Sequence, residues 1–407
     1  MHFILVFNAT AGDAIPVIGI ADRLQQRGHD VVVLGNGAYR PLAAKVAVEF
    51  VDIVSVEENV RRTAERDRSH NDRVRGGLRN FITDIDPVYH GIISRLKENT
   101  VVAAHGLCLG ARVARETHSF PLATLHTTTP QFFSASDPDG WHRDVPAWLR
   151  STADFVMSRA LNWALGRKVD VSRAKWKLPP AAGKDFRRWS ASPDCVIGLF
   201  PEWFAPQQPE WPKVTELVGF PLPRVDETEP LSGDLQAFLD DGPPPLVCSH
   251  SSALSATAEF FHEVMEVARQ LKQRAALLTS PEMIDGPLPA GVRVFPRAAH
   301  SRIYPHAAVA VNHAGMGSAS TGLRAGVPQF HAPFAYDQPE VAHRCQRLGV
   351  SRYLKPGQFT ARRAIPLFEE LLHDETIKAR CREVAQWSTG YDGLDRACDV
   401  LERLGRS

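Results

Sequence analysis

The stretch that decides the fold spans residues 309–338 and reads V-A-V-N-H-A-G-M-G-S-A-S-T-G-L-R-A-G-V-P-Q-F-H-A-P-F-A-Y-D-Q. An apolar run predicts a buried strand over 307–311, the glycines predict a turn, and a helix is expected to follow to about Arg324. A second strand is expected over 329–332. Because free backbone N–H groups and the positive end of a helix face the same point, such a strand–turn–helix forms an anion site. The sequence therefore predicts an α/β domain that binds a phosphate.

The same stretch carries side chains suited to a sugar nucleotide. The candidate diphosphate-binding residues are His313, Gly315, Met316, Gly317 and Ser318. Asp337 and Gln338, which follow the second strand, are candidates for hydrogen bonds to sugar hydroxyls. A purely structural interpretation stays open here, because glycine-rich turns occur in any doubly wound protein. His313 can cap the helix, and Asp337 with Gln338 can simply start the next one.

Size and composition allow two domains. With 407 residues the chain exceeds the usual size of one hydrophobic core. The apolar fraction of 44% and the charged fraction of 23% are ordinary for a globular protein. A formal net charge of +1 gives no reason to expect a nucleic acid partner. No apolar run approaches the roughly 18 residues that span a bilayer, and residues 3–7 predict a first strand rather than a signal peptide.

Short apolar runs alternate with helical patterns, which is typical of parallel α/β sheets. The elements predicted in the first half are strands over 3–7, 31–34, 101–104, 122–125 and 195–199, and helices over 15–27 and 109–117. The stretch 221–245 is rich in Pro, Asp and Glu and predicts the domain boundary. The pattern then restarts with strands over 246–249, 275–279 and 292–295 and a helix over 255–271. We expect domains over 1–225 and 226–385, with a last helix in 386–407 that crosses back to the first domain.

The turn after the first strand, residues 8–16, reads N-A-T-A-G-D-A-I-P. Gly12 permits a tight turn, and Asp13 stands where an N-cap would precede Pro16 in the first helical turn. From the residues alone, Asp13 can be only that cap or a carboxylate with a chemical role.

Both segments resemble those of a known enzyme family. Residues 313–338 resemble the donor-binding motif H-x-G-x-G-[ST] … G-V-P-Q … D-Q of inverting glycosyltransferases with two Rossmann-like domains, the GT-B fold. Residues 8–16 resemble the G-S-x-G-D-x-x-P turn of the UDP-glycosyltransferase-like rhamnosyltransferases, sterol glucosyltransferases and antibiotic glycosyltransferases. The resemblance implies that Asp13 faces the cleft between the domains and acts as general base on an acceptor hydroxyl, which contributes about 10²–10⁴-fold in rate. His126 is a candidate neighbour of this base, with a purely structural role as the alternative.

The resemblance extends to the rest of the donor. Residues 301–305 resemble the segment that holds the nucleobase, which makes Arg297 and Ala298 candidates for backbone contacts to a pyrimidine. Ser252 is a further candidate for the diphosphate, through its hydroxyl group and its N–H.

Three substitutions depart from the family pattern. His250-Ser251-Ser252 lacks the usual glycine, so the backbone at Ser251 is less free to approach a phosphate. Ala299-His300 replaces Pro-Phe, and His313-Ala314-Gly315 replaces His-Gly-Gly. These departures leave the fold and the phosphate site intact, but they leave open the identity of the nucleobase and of the sugar.

No metal and no cofactor are expected, because the nucleotide sugar is a co-substrate. Two D-x-D patterns, at 84–86 and 137–139, are common in loops by chance. The resemblance implies that helix N-termini and His313 meet the charge of the leaving diphosphate, which makes Mg²⁺ redundant. The six cysteines show no C-x-x-C spacing, which indicates reduced thiols in a cytoplasm and no zinc site.

Two segments are candidates for the acceptor side. Residues 57–79 are dense in Arg, Glu and Asp, which is typical of a solvated helix and a mobile loop. Residues 141–168 carry apolar side chains among arginines, including Trp141, Trp148 and Trp163. Such a stripe is usually part of a core or of an interdomain face. The alternatives are an apolar acceptor pocket and reversible contact with a membrane surface.

Together these features predict an inverting, metal-independent glycosyltransferase with two Rossmann-like α/β domains. It would move a hexose from a nucleoside diphosphate sugar, of the UDP-glucose or dTDP-rhamnose type, to a hydroxyl of a small apolar acceptor (lipid, sterol or natural product). One alternative is a sugar-nucleotide 2-epimerase on the same fold. The other is a non-catalytic sugar-nucleotide-binding partner of another transferase.

Overall fold

The computed structural model describes residues 1–8, 10–66, 84–132, 134–140, 143–221, 229–250, 257–296, 298–389 and 392–406. The chain divides into two compact units, Met1–Val225 with Asp392–Ser407 as unit 1 and Asp226–Tyr391 as unit 2. The predicted boundary at 225–226 falls in 222–228, outside the described residues. No helix in the described part of the chain is both long enough and apolar enough to cross a bilayer.

Unit 1 is built on a seven-stranded parallel sheet with the order β3-β2-β1-β4-β5-β6-β7. Its strands are β1 His2–Val6, β2 Asp30–Asn36, β3 Glu49–Val54, β4 Thr100–His105, β5 Leu122–His126, β6 Cys195–Gly198 and β7 Thr215–Leu217. Every residue of β1 and of β4 is buried. Helices cover both faces of the sheet, so both sides of these strands are buried and their sequences are mostly continuous apolar runs.

Helices lie on both faces of this sheet. They are α1 Ala11–Gln26, α2 Arg40–Ala44, α3 Val56–Arg66, α4 Ile85–Ile93, α5 Leu109–Thr117, α6 Ala147–Leu161, α7 Arg167–Ala174 and α8 Phe186–Ser190, with a π-helical turn Asn162–Gly166 between α6 and α7. On one face, Phe3 and Leu5 pack with Ile18 of α1. On the other, Ile4 and Val6 pack with the apolar sides of α4 and α5. The alternation of neighbouring residues between two cores follows from the two-residue period of a strand.

Unit 2 contains a six-stranded parallel sheet with the order β10-β9-β8-β11-β12-β13. The strands are β8 Leu246–Ser249, β9 Ala275–Leu278, β10 Val292–Phe295, β11 Val309–Asn312, β12 Gln329–His331 and β13 Ser351–Tyr353. The helices are α9 Gly233–Asp240, α10 Thr257–Gln270, α11 His300–Ile303, α12 Met316–Ala325, α13 Gln338–Arg347, α14 Ala361–His373 and α15 Glu375–Thr389. In both sheets the strand order reverses beside the first strand, and such a switch point is where doubly wound proteins bind ligands.

The last helix, α16 Gly393–Leu404, follows unit 2 in the chain but packs in unit 1. Its Leu394 and Leu401 belong to the core that includes α1. Arg27, the C-cap of α1, forms ion pairs with this helix, 3.1 Å to Asp395 and 2.7 Å to Asp399. Two α/β units with parallel sheets confirm the predicted fold class.

Candidate active site

The switch point of unit 1 lies between β1 and β4. These strands pair in parallel register, with Val6 opposite Ala104, so both end at the same edge of the sheet. The loop after β1 leads into α1, whose third residue is Asp13, and β4 ends with His105. Strand β5, which pairs with β4, ends with His126 and is followed by Thr127. Polar groups from three segments therefore meet at one edge.

Asp13 does not occupy the position that the sequence predicted. Helix α1 begins at Ala11 rather than at residue 15, and Thr10 is its N-cap, so Asp13 is the third helical residue. The Asp13 Oδ2 atom accepts hydrogen bonds of 3.0 Å from the N–H and from the hydroxyl of Thr10. The prediction was wrong by one helical turn because Thr-x-x-Asp forms a capping box, in which the third residue reaches back to the cap.

The second oxygen of Asp13 contacts a histidine. The Oδ1 atom lies 3.0 Å from His105 Nε2 and accepts a hydrogen bond of 2.8 Å from the hydroxyl of Thr127. Burial raises the pKa of Asp13, but the charge of His105 and the hydrogen bonds from His105, Thr10 and Thr127 outweigh burial, so the net pKa is well below its ordinary value. Asp13 is therefore a carboxylate, and its contribution to stability is present above the ordinary carboxyl pKa and is lost as the pH falls.

His126, the predicted neighbour of Asp13, reaches this pair only through Gln131. The Gln131 Oε1 atom accepts the N–H of Thr127 at 2.9 Å and lies 3.2 Å from His126 Nδ1, while Gln131 Nε2 lies 3.0 Å from His105 Nε2. Burial lowers the pKa of His126 to about 3, so its ring is neutral. Among the described residues, His105 rather than His126 is the imidazole in contact with Asp13.

The switch point of unit 2 lies between β8 and β11. Strand β11 ends at Asn312, and α12 begins at Met316 after a loop of three residues. In this loop Ala314 has a left-handed backbone with φ of 61°. The Asn312 Oδ1 atom stabilises that conformation by accepting the N–H of Ala314 at 2.8 Å. The first turn of α12 thus starts at the carboxyl edge of the sheet, as an anion site requires.

His313 lies across this turn. A Cβ atom at Gly315 would come within 2.5 Å of His313 Nε2, so glycine is what lets the ring lie there. Burial lowers the pKa of His313 to about 3, and its Nδ1 atom has no hydrogen-bond partner among the described residues. The ring is therefore neutral and offers a phosphate an N–H group rather than a charge. Ser318, whose hydroxyl lies 3.4 Å from His300 Nδ1, stands in the first turn of the same helix.

A buried polar network supports the loop from below. The Asn312 Oδ1 atom accepts the N–H of Ala314. The same oxygen lies 3.0 Å from His331 Nδ1, and because an amide oxygen only accepts, His331 Nδ1 is the donor. The Asn312 amide nitrogen lies 3.4 Å from Gln329 Oε1, and Gln329 Nε2 donates to the carbonyl of Ala319 in α12 at 3.2 Å. Asn312, Gln329 and His331 are fully buried. The network therefore joins β11, β12 and α12 to the loop.

We expect Asn312→Ala to destabilise the protein by about 2–4 kcal/mol, because two buried donors, on Ala314 and His331, lose their acceptor. Urea denaturation would measure this change. Ser351→Ala is the matched control: Ser351 is fully buried, yet its hydroxyl has no hydrogen-bond partner among the described residues. An equal loss in the two variants would contradict the role assigned to Asn312.

The predicted sugar-binding pair lies at the start of α13. Asp337 is the N-cap of this helix. Gln338 is buried, and its Oε1 atom accepts the N–H groups of Phe334 at 2.8 Å and of Ala335 at 3.3 Å. The Gln338 oxygen therefore already accepts two hydrogen bonds from its own loop. The amide nitrogen of Gln338 is the atom that can donate a hydrogen bond to a sugar.

For the other predicted residues, the described structure records no contact with either site. Ser252 and Arg297, with Ser251 and Trp141, lie outside the described residues. Ala298 packs beside the apolar core of unit 2. Asp84 of the first D-x-D pattern binds Arg62 at 2.9 Å, and the described residues contain no group of three or more His, Cys, Asp or Glu side chains that could hold a metal ion.

Comparison with known proteins identifies the chain's relatives. Residues 255–389 match the family model for the C-terminal domain of erythromycin biosynthesis protein CIII-like proteins. The chain is 25% identical over 99% of its length to O-mycaminosyltylonolide 6-deoxyallosyltransferase of Streptomyces fradiae, covering 97% of that protein. It is also 25% identical to an uncharacterized glycosyltransferase of Mycobacterium tuberculosis, over 100% of this chain and 99% of that protein.

Solved structures give the same result for the fold. The glycotransferase of kitacinnamycin matches with a TM-score of 0.77 and 20% identity, over 99% of this chain and 98% of that one. The glycosyltransferase VinC, in complex with dTDP, matches with a TM-score of 0.71 and 15% identity over 100% of both chains. The protein is a glycosyltransferase of the GT-B fold. The family-model match, the relatives and the structural neighbours support the UDP-glycosyltransferase-like family that the sequence predicted.

His105→Gln should raise the pKa of Asp13 toward and beyond its ordinary value. The glutamine can still donate to Oδ1, but it removes the positive charge that offsets burial. A ¹³C NMR titration of the Asp13 carboxyl group would measure the shift. His118→Gln, at an exposed histidine of the same unit, should leave the titration unchanged. An unshifted Asp13 in His105→Gln would contradict the electrostatic role of His105.

Proposed function

We propose that this glycosyltransferase moves a hexose from a nucleoside diphosphate sugar to a hydroxyl of a small apolar acceptor, with inversion at the anomeric carbon. The observation that carries the proposal is the contact between Asp13 and His105 at the switch point of unit 1, 3.0 Å between Oδ1 and Nε2. It places an ionised carboxylate at the edge where doubly wound sheets bind ligands.

Asp13 is the proposed general base. As the acceptor oxygen attacks the anomeric carbon, its proton passes to the Asp13 carboxylate, and the bond between the anomeric carbon and the diphosphate breaks. A carboxylate with a lowered pKa is a weak base. Proton transfer must therefore accompany carbon–oxygen bond formation, when the acceptor hydroxyl has become strongly acidic. A single displacement of this kind inverts the anomeric configuration.

The N-terminal turn of α12 is the proposed diphosphate site. Its free N–H groups, the helix dipole and the neutral His313 ring can stabilise the charge that develops on the leaving diphosphate. Ser318 adds a hydroxyl group in the first turn. Asp337 and the amide nitrogen of Gln338 are the proposed ligands of sugar hydroxyls, and Ser252, Arg297 and Ala298 remain proposed ligands of the nucleotide.

The relatives favour a narrower substrate class. The Streptomyces fradiae relative is named for 6-deoxyallosyl transfer to O-mycaminosyltylonolide, and the VinC structure contains dTDP. We therefore favour a dTDP-activated deoxyhexose and a natural product over a sterol or a lipid. Neither the epimerase nor the non-catalytic alternative is supported by the relatives.

Asp13→Asn tests the base directly. Transfer to a hydroxyl acceptor should fall by about 10²–10⁴-fold, because asparagine accepts no proton. The fold should lose about 1–3 kcal/mol, because asparagine keeps one acceptor for His105 and Thr127 but loses the charge and turns its amide N–H2 toward the N–H of Thr10. Turnover and melting temperature would be measured together. Asp22→Asn, in the same helix, is the control, and near-normal turnover in a folded Asp13→Asn variant would exclude Asp13 as the base.

Activity should persist in excess EDTA, since the N–H groups and dipole of α12 and the His313 N–H stabilise the charge on the leaving diphosphate. Initial rates with and without the chelator, on protein passed through a chelating resin, would measure this. Loss of turnover that Mg²⁺ or Mn²⁺ restores would overturn this part of the mechanism.

A further inference from the structure

The segment from α6 to α7 presents an unusual number of apolar side chains to solvent. Trp148 is 79% exposed, Trp163 69% and Phe155 64%. Val156 and Val171, on the same segment, are 60% and 71% exposed. We call these five residues the aromatic ridge. The sequence favoured a core or an interdomain face for this stripe, and the exposure of the ridge excludes the core.

The ridge is not required for packing inside unit 1. Leu165 and Val169, on the inner side of the same segment, are buried and belong to the core that covers the sheet. Trp148 and Phe155 are seven residues apart, two helical turns, so they lie on the same side of α6. The inner side therefore supplies the contacts that hold the segment, and the ridge is an additional apolar surface.

Unpaired cations accompany the ridge. Arg159 lies over the Phe155 ring, with its Cζ atom 6.0 Å from the ring centroid. Arg159, Arg167 and Lys168 are exposed, and none pairs with a carboxylate in the described part of the chain. The two acids within α6 and α7 are engaged elsewhere: Asp154 binds Arg187 at 2.7 Å, and Asp170 accepts the N–H groups of residues 181–183. The surface is thus aromatic and positively charged.

We propose that the aromatic ridge binds reversibly to an anionic lipid bilayer. Tryptophan and phenylalanine partition to the boundary between headgroups and acyl chains. Each Lys or Arg near an anionic membrane increases partitioning by about five-fold, so three such cations contribute about 10²-fold. The ridge meets both requirements.

A second copy of the chain fits this surface less well. A two-fold symmetric dimer brings the same patch of each copy together. Arg159, Arg167 and Lys168 would then face their own counterparts, and like charges across an interface are unfavourable. An anionic headgroup layer supplies the opposite charge.

Vesicle flotation tests the proposal without any substrate. The full chain should float with vesicles of phosphatidylcholine and phosphatidylglycerol, and weakly or not at all with phosphatidylcholine alone. Binding should decrease as salt increases, because the attraction is electrostatic. Brominated lipids should quench tryptophan fluorescence in the bound protein. Failure to float with anionic vesicles would overturn the proposal.

Variants separate the apolar contribution to vesicle binding from the electrostatic one. Trp148→Ser with Phe155→Ser and Trp163→Ser should lower vesicle binding at least about ten-fold, whereas Val214→Ser with Leu288→Ser, at exposed apolar residues elsewhere, should not.

The charge variant is Arg159→Gln with Arg167→Gln and Lys168→Gln, which should bind about 10²-fold more weakly. Its control, Lys213→Gln with Arg362→Gln and Arg363→Gln, removes as many exposed cations elsewhere and should bind as the unmodified chain does. Vesicle binding that survives the serine variant would overturn the proposal. So would a dimer in analytical ultracentrifugation that the serine variant dissociates, since a second copy would then cover the ridge.

Discussion

Both sites of this glycosyltransferase depend on the parallel pairing of the two strands at which the strand order reverses. In unit 1 these are β1 and β4, paired from His2 opposite Thr100 to Val6 opposite Ala104. In unit 2 they are β8 and β11. Parallel register makes the paired strands end at one level, so the loops that follow start side by side. Residues almost a hundred positions apart, such as Asp13 and His105, meet for this reason.

The two sites have opposite electrostatic requirements. In unit 1 a carboxylate is half-buried, and the charge of His105 with three hydrogen bonds keeps it ionised despite burial. In unit 2 the imidazole of His313 is neutral because of burial, and the positive contribution comes from the helix start. The proposed base must be negatively charged before the acceptor binds, whereas the diphosphate site must stabilise the negative charge of the diphosphate itself.

The sequence predicts those features that depend on local pattern. The buried strands, the glycine turn at 313–317 and the family follow from short stretches of residues. His105 was missed because its contact with Asp13 depends on which strand lies beside β1. The order of strands in a sheet does not follow from a single sequence. Strands β3, β7 and β13 were missed; β7 and β13 have three residues each, T-E-L and S-R-Y, which carry no readable alternation. The exposure of Trp148 and Phe155 was missed because the period of a helix indicates which residues share a side, but not whether that side faces solvent.

The return of α16 to unit 1 makes unit 2 an insertion within the structure of the first. Leu394 and Leu401 complete a core whose other members, such as Ile18, precede unit 2 in the chain. During translation the ribosome releases α16 only after all of unit 2, and domains otherwise tend to fold in the order of synthesis. The N-terminal unit therefore holds an unfinished apolar surface on α1 while unit 2 is made. Its folding waits for the last helix, and that interval is when this chain is most exposed to aggregation and to chaperones.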